Sequence, residues 1–326
     1  MRIGITGAKG LIGSYLTAYI LSRATAEVRL LLRGLSGPAE ETRAEVIQGD
    51  LISPSDCERF ASGLDVIYYL AHCNTPVNSD LDQPRDALIN LVPFLTFLRA
   101  VQSLRTRPHI VYFSTGGAIY GPKADRVPFR ETDPLAPCCS YGIQKLAAEQ
   151  YLRVAAERGY VTATVLRVGN AYGAVLPQHR LQGLIGVALG NLAHGRPIRI
   201  FGDAENVRDY IHLEDVSSIA WAAARPRTPF DIINVGSGEG HSVRQVLDII
   251  ASYHQRPLQI ESVEKTACSS WLPSWVVLDI TKASREFGWT PAITFGNGIA
   301  RMVAQCSSET RTDIAFAQEC SASPPL

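Results

Sequence analysis

Short apolar runs alternate with helical patterns through the first half of the chain. Residues 2–6 (Arg-Ile-Gly-Ile-Thr) read as a buried strand, and a glycine-spaced turn at 7–13 leads into a helix over 11–23. In that helix Ile12, Leu16, Tyr19 and Ile20 recur at helical spacing. Further strands are predicted at 28–32, 45–48, 66–70, 109–114 and 161–168. Helices are predicted over 87–103 and over a segment that carries Tyr141 and Lys145 and runs to about Arg158. Strands alternating with helices predict an α/β fold with a parallel sheet covered on both faces, because parallel strands need helical crossovers. After Val168 the alternation weakens, and proline and glycine gather at 173–177, 195–197 and 202–206. This half reads as a smaller lobe interleaved with the sheet. The expected division is 1–170 for the sheet domain with 209–237 returning to it, 171–208 and 238–310 for the lobe, and 311–326 for a flexible tail.

Composition narrows the function classes. The chain has 326 residues, enough for one large domain or two intimate ones. Its 31 basic and 31 acidic residues give a formal charge of +0, with no long like-charge block. No nucleic-acid or membrane-surface partner is therefore expected. Seven cysteines, an odd number without Cys-x-x-Cys spacing, argue against a disulfide framework and a zinc site, so no metal is expected. Met1 and Arg2 lead straight into an apolar strand with no signal-peptide pattern, and no apolar run reaches ~18 residues. The expectation is a soluble, cytoplasmic protein.

Two motifs carry chemistry. Gly7, Gly10 and Gly13 follow a predicted strand and open a predicted helix. Glycines there permit a tight turn and bring backbone amides, with those of Leu11 and Ile12, close to a pyrophosphate at the helix N-terminus. Tyr141 and Lys145 lie about one helical turn apart and share a helix face. A lysine beside a phenol favours the phenolate. Bringing tyrosine from ~10 to near 7 takes roughly 3 units, about 4 kcal/mol. The pair is a candidate acid/base device for a substrate hydroxyl or carbonyl.

Together these motifs resemble the extended short-chain dehydrogenase/reductase superfamily, in its NAD(P)-dependent nucleotide-sugar epimerase/dehydratase branch. The resemblance continues through Gly49-Asp50-Leu51, Leu70-Ala71-His72 and Asn90. It runs on through the 113–121 and 166–173 segments, Arg208-Asp209-Tyr210, Leu278-Asp279-Ile280 and Phe287-Gly288-Trp289. It implies a Rossmann-type doubly wound sheet with a smaller α/β substrate lobe. It also implies that Asp50, Leu51, Leu70, Ala71, His72, Asn90 and Ser114 join the glycine turn, Tyr141 and Lys145 in holding the dinucleotide. Tyr141, Lys145, Thr115 and Ser114 are then the catalytic candidates, and Asn170, Arg208, Thr115 and Tyr141 the substrate-binding ones. A homodimer is implied as well, through helices that carry Leu91, Phe94, Leu95, Leu98, Leu146 and Leu152, residues equally suited to packing on the sheet.

Three departures from the family pattern matter. Gly116 stands where the catalytic serine or threonine is usual, so Thr115, with Ser114 behind it, is the expected substitute. The second strand ends in Leu32-Arg33-Gly34 rather than an acid that would bind the ribose 2′-hydroxyl. Either NAD or NADP fits, with Arg33 tilting the choice toward NADP. No arginine lies in the usual family position at 267–275, which leaves Arg208 with more of the phosphate binding, unless it merely pairs with Asp209 or Asp203. Gly116-Gly117 also replaces the Asp-Glu pair of the dehydratases, which argues against dehydration. The leading expectation is a nucleotide-sugar 4-epimerase acting on a UDP-hexose. Its rivals are an NADPH-dependent 4-keto-sugar reductase, a UDP-uronic acid decarboxylase and a non-catalytic cofactor sensor.

Overall fold

The computed structural model describes residues 1–23, 26–34, 43–177, 180, 182–254, 258–263 and 273–309. In chain order the first half reads β1 (Arg2–Thr6), α1 (Leu11–Arg23), β2 (Glu27–Leu32), β3 (Ala44–Gln48), α2 (Pro54–Ala61), β4 (Val66–Tyr69), α3 (Gln83–Gln102), β5 (His109–Thr115), α4 (Ser140–Glu157) and β6 (Thr162–Val168). The second half reads β7 (Asn170–Tyr172), α5 (Leu184–Ala193), β8 (Ile198–Phe201), β9 (Val207–His212), α6 (Leu213–Ala222), β10 (Phe230–Val235), β11 (Gly240–Ser242), α7 (Val243–His254), β12 (Ile260–Val263), β13 (Trp275–Val276), α8 (Thr281–Phe287) and α9 (Phe295–Glu309).

Seven strands form one parallel sheet in the order β10-β6-β5-β4-β1-β2-β3. The sheet is buried on both faces, so β4 and β5 are apolar or enclosed at every position. One face packs against α1 and α6 through Ile3, Leu16, Ile20, Val216 and Ile219. The other packs against α2, α3 and α4 through Phe60, Tyr69, Phe94, Phe97 and Leu152. Burial of each such side chain is worth roughly 1.5–3 kcal/mol. Strand order reverses at β1, which has β2 on one side and β4 on the other. At that point helices leave to opposite faces and a crevice opens at the carboxyl ends of the strands.

The chain passes from β6 through Gly169 into β7, which pairs with β9 outside the main sheet. Strand β9 also pairs with β11 and β13, while β8 pairs with β12. Helices α5, α7 and α9 cover this lobe around Ile185, Leu189, Val246, Ile250 and Ile299. From β9 the chain returns through α6 to β10 at the sheet edge, then re-enters the lobe at β11.

Helix α3 begins at Gln83, ahead of the 87–103 expected from apolar spacing, because Asp82 caps Arg85 N at 3.0 Å and Pro84 sits in the first turn. Helix α2 had no counterpart in the apolar pattern. It is short, with Ser53 capping Asp56 N at 3.3 Å and Pro54 at its start. Phe94, Leu98 and Leu152, expected on a dimer face, are buried in the core. The outward apolar face of these helices is instead Leu88, Ile89 and Val92 on α3 with Ile143, Tyr151 and Val154 on α4. Cys57, Cys73, Cys138 and Cys139 are free thiols. Among the described residues no helix is long and apolar enough to cross a membrane, and no acidic, histidine and cysteine cluster would hold a metal ion.

Candidate active site

The glycine turn packs too closely for side chains. Gly7 has φ 71°, and a Cβ there would lie 2.7 Å from Ala71 N. A Cβ at Gly13 would lie 2.1 Å from the Gly7 carbonyl oxygen. The turn is closed by Gly10 N donating to Gly7 O at 2.9 Å, and Ser14 N donates to Gly10 O at 2.9 Å. These contacts seat the start of α1 against β1 and β4, with its amide end at a cavity of about 600 Å³. A helix N-terminus lined by bare glycines fits the pyrophosphate of a dinucleotide.

That single cavity gathers most of the residues singled out from the sequence. Gly7, Gly10, Leu11, Ile12, Gly13 and Leu70 line one end; His72, Ser114, Thr115, Tyr141 and Lys145 line its middle; Asn170 and Arg208 approach from the lobe side. Arg33, Asp50, Leu51, Ala71 and Asn90 do not line it. Arg33 is exposed and its Nη2 lies 3.9 Å from Cys73 Sγ. Asp50 accepts from Ile52 N at 3.2 Å, and Leu51 packs on the α2/α3 core. Ala71 abuts Gly7 through its backbone. Asn90 acts at one remove: its Oδ1 accepts from Cys73 N at 2.7 Å and holds the loop after β4.

Tyr141 and Lys145 share the cavity-facing side of the first turns of α4. The Lys145 Nζ donates to the Phe113 carbonyl at 2.8 Å and lies 5.8 Å from the centre of the Tyr141 ring. Burial pushes the Tyr141 phenol up to about 12, opposed by its hydrogen bond with Thr115. Burial lowers Lys145 to about 7, opposed by Glu149. The expectation that Lys145 lowers the phenol fails for the protein groups alone. Burial dominates at both residues, and the group that lowers the phenol is the Thr115 hydroxyl. The His72 ring meets the Tyr141 ring edge-on at 4.9 Å. Burial and the Lys145 charge hold that imidazole well below the ordinary histidine value, and therefore neutral.

The two hydroxyl candidates separate cleanly. Thr115 bonds Tyr141 and also accepts from Gly117 N at 3.2 Å. Ser114 turns away and donates to Glu149 Oε1 at 2.5 Å. Glu149 is in turn bonded by Arg167, Nη2 to Oε2 at 2.7 Å and Nε to Oε1 at 3.2 Å. Arg167 continues to Tyr120 OH at 3.0 Å, and Tyr120 donates to Asn234 Oδ1 at 2.8 Å. Position 116 has no room for a hydroxyl-bearing side chain, because a Cβ there would lie 2.5 Å from Leu278 Cδ1. The departure at Gly116 is thus matched by the leucine that fills its place.

Arg208, on β9, donates to its neighbour's carbonyl, Val207 O, at 2.8 Å and forms no ion pair among the described residues. Asp209 is occupied elsewhere: it accepts from Ser237 N at 2.6 Å, Ser237 Oγ at 2.7 Å, Gly238 N at 3.1 Å and Leu278 N at 3.2 Å. Burial lowers the Arg208 pKa from its usual value, with Tyr210 opposing. The sequence reading missed Asp86, a fully buried carboxylate on α3. It accepts from Asn74 Nδ2 at 2.7 Å, Asn90 Nδ2 at 2.7 Å, Ser140 Oγ at 2.8 Å and Gln144 Nε2, and so ties α3, the β4 loop and α4 together. Only its position one turn before Asn90 on the same helix face signalled this role. The loop at 72–77 lines the cavity, as do Arg180, Gln182 and Gly183. Gln178, His179 and Leu181 lie outside the described residues.

A doubly wound sheet with a glycine-cradled helix start, a Tyr-Lys pair and a hydroxyl in one cavity defines a nicotinamide-dinucleotide enzyme of the extended short-chain class. The chain belongs to the NAD dependent epimerase/dehydratase family, whose model matches residues 3–236. It is 29% identical over 240 residues to dTDP-4-dehydro-6-deoxyglucose reductase of Escherichia coli, covering 74% of each chain. It is 28% identical over 320 residues to UDP-glucose 4-epimerase of Mycolicibacterium smegmatis, covering 93% of this chain and 97% of that one. Its structure is similar to that of Thermus thermophilus UDP-glucose 4-epimerase in complex with NAD. That likeness has a TM-score of 0.85 at 28% identity and covers 94% of this chain and 99% of that one. The protein is an NAD(P)-dependent enzyme of the nucleotide-sugar epimerase and reductase type.

Proposed function

We propose that the enzyme is a nucleotide-sugar 4-epimerase acting on a UDP-hexose. The observation that carries this reading is the extent of the likeness. Similarity to UDP-glucose 4-epimerases spans 93% of the chain in sequence and 94% in structure, lobe included, and the structural likeness reaches a TM-score of 0.85. The lobe contributes Arg208 and Asn170, which approach the cavity opposite the Tyr-Lys pair.

In this reading Tyr141 takes the proton of the C4 hydroxyl, and Thr115 holds the same oxygen by a hydrogen bond. The glycine turn and the start of α1 hold the pyrophosphate, and Lys145 reaches the nicotinamide ribose. A bound nicotinamide dinucleotide would accept the C4 hydride and give it back to the opposite face and, when oxidised, would add a positive charge that favours the Tyr141 phenolate. Arg208 binds the substrate diphosphate, since a guanidinium fork matches phosphate oxygens. The 4-keto sugar turns over within the cavity while its nucleotide stays anchored, and Tyr141 returns the proton. The sum is redox-neutral.

A second reading, a reductase of nucleotide-linked 4-keto sugars, draws support from two observations. The chain is 28% identical to dTDP-6-deoxy-L-talose 4-dehydrogenase (NAD(P)(+)) of Kitasatospora kifunensis over 92% of its length. Arg33 at the end of β2 also suits the 2′-phosphate of NADP. The deciding experiment releases and identifies bound cofactor, then assays a panel of nucleotide sugars with and without NADPH. Interconversion of two sugars without net oxidation is the expected result. Strict one-to-one consumption of NADPH would overturn it in favour of the reductase. In either case Tyr141→Phe should lower turnover by roughly 10²–10⁴-fold while leaving cofactor binding in place.

A further inference from the structure

Behind the Tyr141 ring, between β4, β5, α3 and α4, lies a second, much smaller cavity of about 10 Å³. Tyr69, His72, Asn90, Phe94, Tyr112 and Gln144 are among its walls. His72 lines both cavities, so its imidazole forms the partition between them. Two side-chain atoms around the small cavity, His72 Nε2 and Gln144 Oε1, are buried without a hydrogen-bond partner. The orientation of the Gln144 amide is fixed by its other end. Its Nε2 donates to Asp86 Oδ2 and, at 2.9 Å, to Ser140 Oγ, which leaves the carbonyl oxygen turned to the cavity. Leaving two such atoms unpaired in one place is costly, and a space of this size with two polar walls suits a single water.

We propose that His72 is a positioning residue for Tyr141, fixed by one ordered water that bridges His72 Nε2 and Gln144 Oε1. The water donates one proton to Gln144 Oε1; toward Nε2 it can donate or accept, so the bridge forms with either neutral tautomer. A continuous chain then runs from the buried Asp86 through Gln144 and the water to His72, whose ring edge meets Tyr141 at 4.9 Å. The bridge holds the imidazole at one angle, and the imidazole in turn limits the phenol to the rotamer that reaches Thr115. The inference rests on Tyr141 being the proton-transfer group of the proposed function.

Three substitutions at His72 test it, assayed on the nucleotide sugar that the wild-type enzyme turns over fastest. His72→Gln carries its amide at the same bond distance from the backbone as Nε2, and so retains a partner for the water. His72→Asn carries it at the distance of Nδ1, and His72→Phe keeps the ring edge but no polar atom. Phe and Asn should each lower kcat about 10-fold with KM changed by less than about 2-fold, and Gln should recover most of the loss. A Gln variant no better than Phe, or a loss confined to KM, would overturn the proposal. A crystal structure that resolves buried waters should show one at roughly 2.7–3.2 Å from both atoms, and a dry cavity would overturn it even where a variant fails to fold. Tyr141→Phe is run alongside. If it is inactive while the His72 series is silent, the proton-transfer reading stands and this inference alone falls. If it keeps full activity, both fall.

Discussion

Two arginines frame the site, Arg167 buried and Arg208 half-buried, and they are held in opposite ways. Arg167, beneath the cavity floor on β6, has both carboxylate oxygens of Glu149 at 2.7 and 3.2 Å and a tyrosine hydroxyl at 3.0 Å. Arg208, in the cavity wall on β9, has one backbone carbonyl at 2.8 Å and no ion pair among the described residues. Burying a charge is costly in either place, so the difference lies in what offsets the cost. At Arg167 the protein supplies the anion, and the pair becomes scaffold. It anchors Ser114 on β5 to α4, one turn beyond Lys145, and keeps the Tyr-Lys helix in register with the sheet. At Arg208 no carboxylate among the described residues does so, which is the arrangement expected of a residue that binds an anionic group. Asp209, its neighbour in sequence, instead accepts from Ser237, Gly238 and Leu278.

Breaking each arginine should therefore give different losses. Arg167→Met leaves Glu149 buried without its cation, and urea unfolding should show a loss of roughly 3–5 kcal/mol. Turnover should fall with stability, because α4 loses its anchor. A stability change under about 1 kcal/mol would mean that the pair is not scaffold. Arg208→Met should do the reverse. KM for the nucleotide sugar should rise roughly 10–100-fold, which is about 1.4–2.7 kcal/mol of binding, with unfolding unchanged or slightly improved. Arg208→Lys should recover only part of the binding, since an ammonium lacks the fork. If Arg208→Met lowers stability as much as Arg167→Met, the contrast between the two arginines is wrong.

The same contrast explains what the sequence made legible. Parallel strands buried on both faces are short apolar runs, so β1 and β4–β6 could be placed closely, and the glycine turn located the switch point at β1. Gly7, Tyr141, Lys145 and Arg208 announced themselves because each is tied to a local motif. The network residues did not. Glu149, Arg167 and Asp86 read as ordinary polar positions on helices or strands, and their roles come from contacts such as Arg167 with Glu149 or Asp86 with Ser140 and Gln144, made far along the chain. The choice between Ser114 and Thr115 was open for the same reason. It turns on Glu149 claiming one hydroxyl and Tyr141 the other, and on Leu278 filling the space at Gly116. Helix α2 stayed hidden because its start is set by Ser53 and Pro54 rather than by apolar spacing.

Lys145 extends the comparison to a cation that, unlike either arginine, can give up its proton. Burial holds it at about 7, against 10.5 for the ordinary group, so the folded protein favours its neutral form. Between those two values the unfolded chain binds the extra proton and the folded one does not. Unfolding free energy therefore gains from this group as pH rises through the window, with the contribution complete above the unfolded pKa and lost as pH falls toward 7. The slope is at most about 1.4 kcal/mol per pH unit. Lys145→Met removes it. Urea unfolding of the two proteins at pH 7, 8 and 9 should show the variant more stable at pH 7, with its advantage shrinking steadily toward pH 9, since the titrations common to both proteins cancel in the difference. The same substitution should abolish turnover, so the residue gives up stability where it provides function. A stability difference that stays constant across the three pH values would mean that Lys145 remains fully charged in the fold. In that case it stands with Arg208 as a fixed cation, and the adjustable charge of the site must be sought at Tyr141 alone.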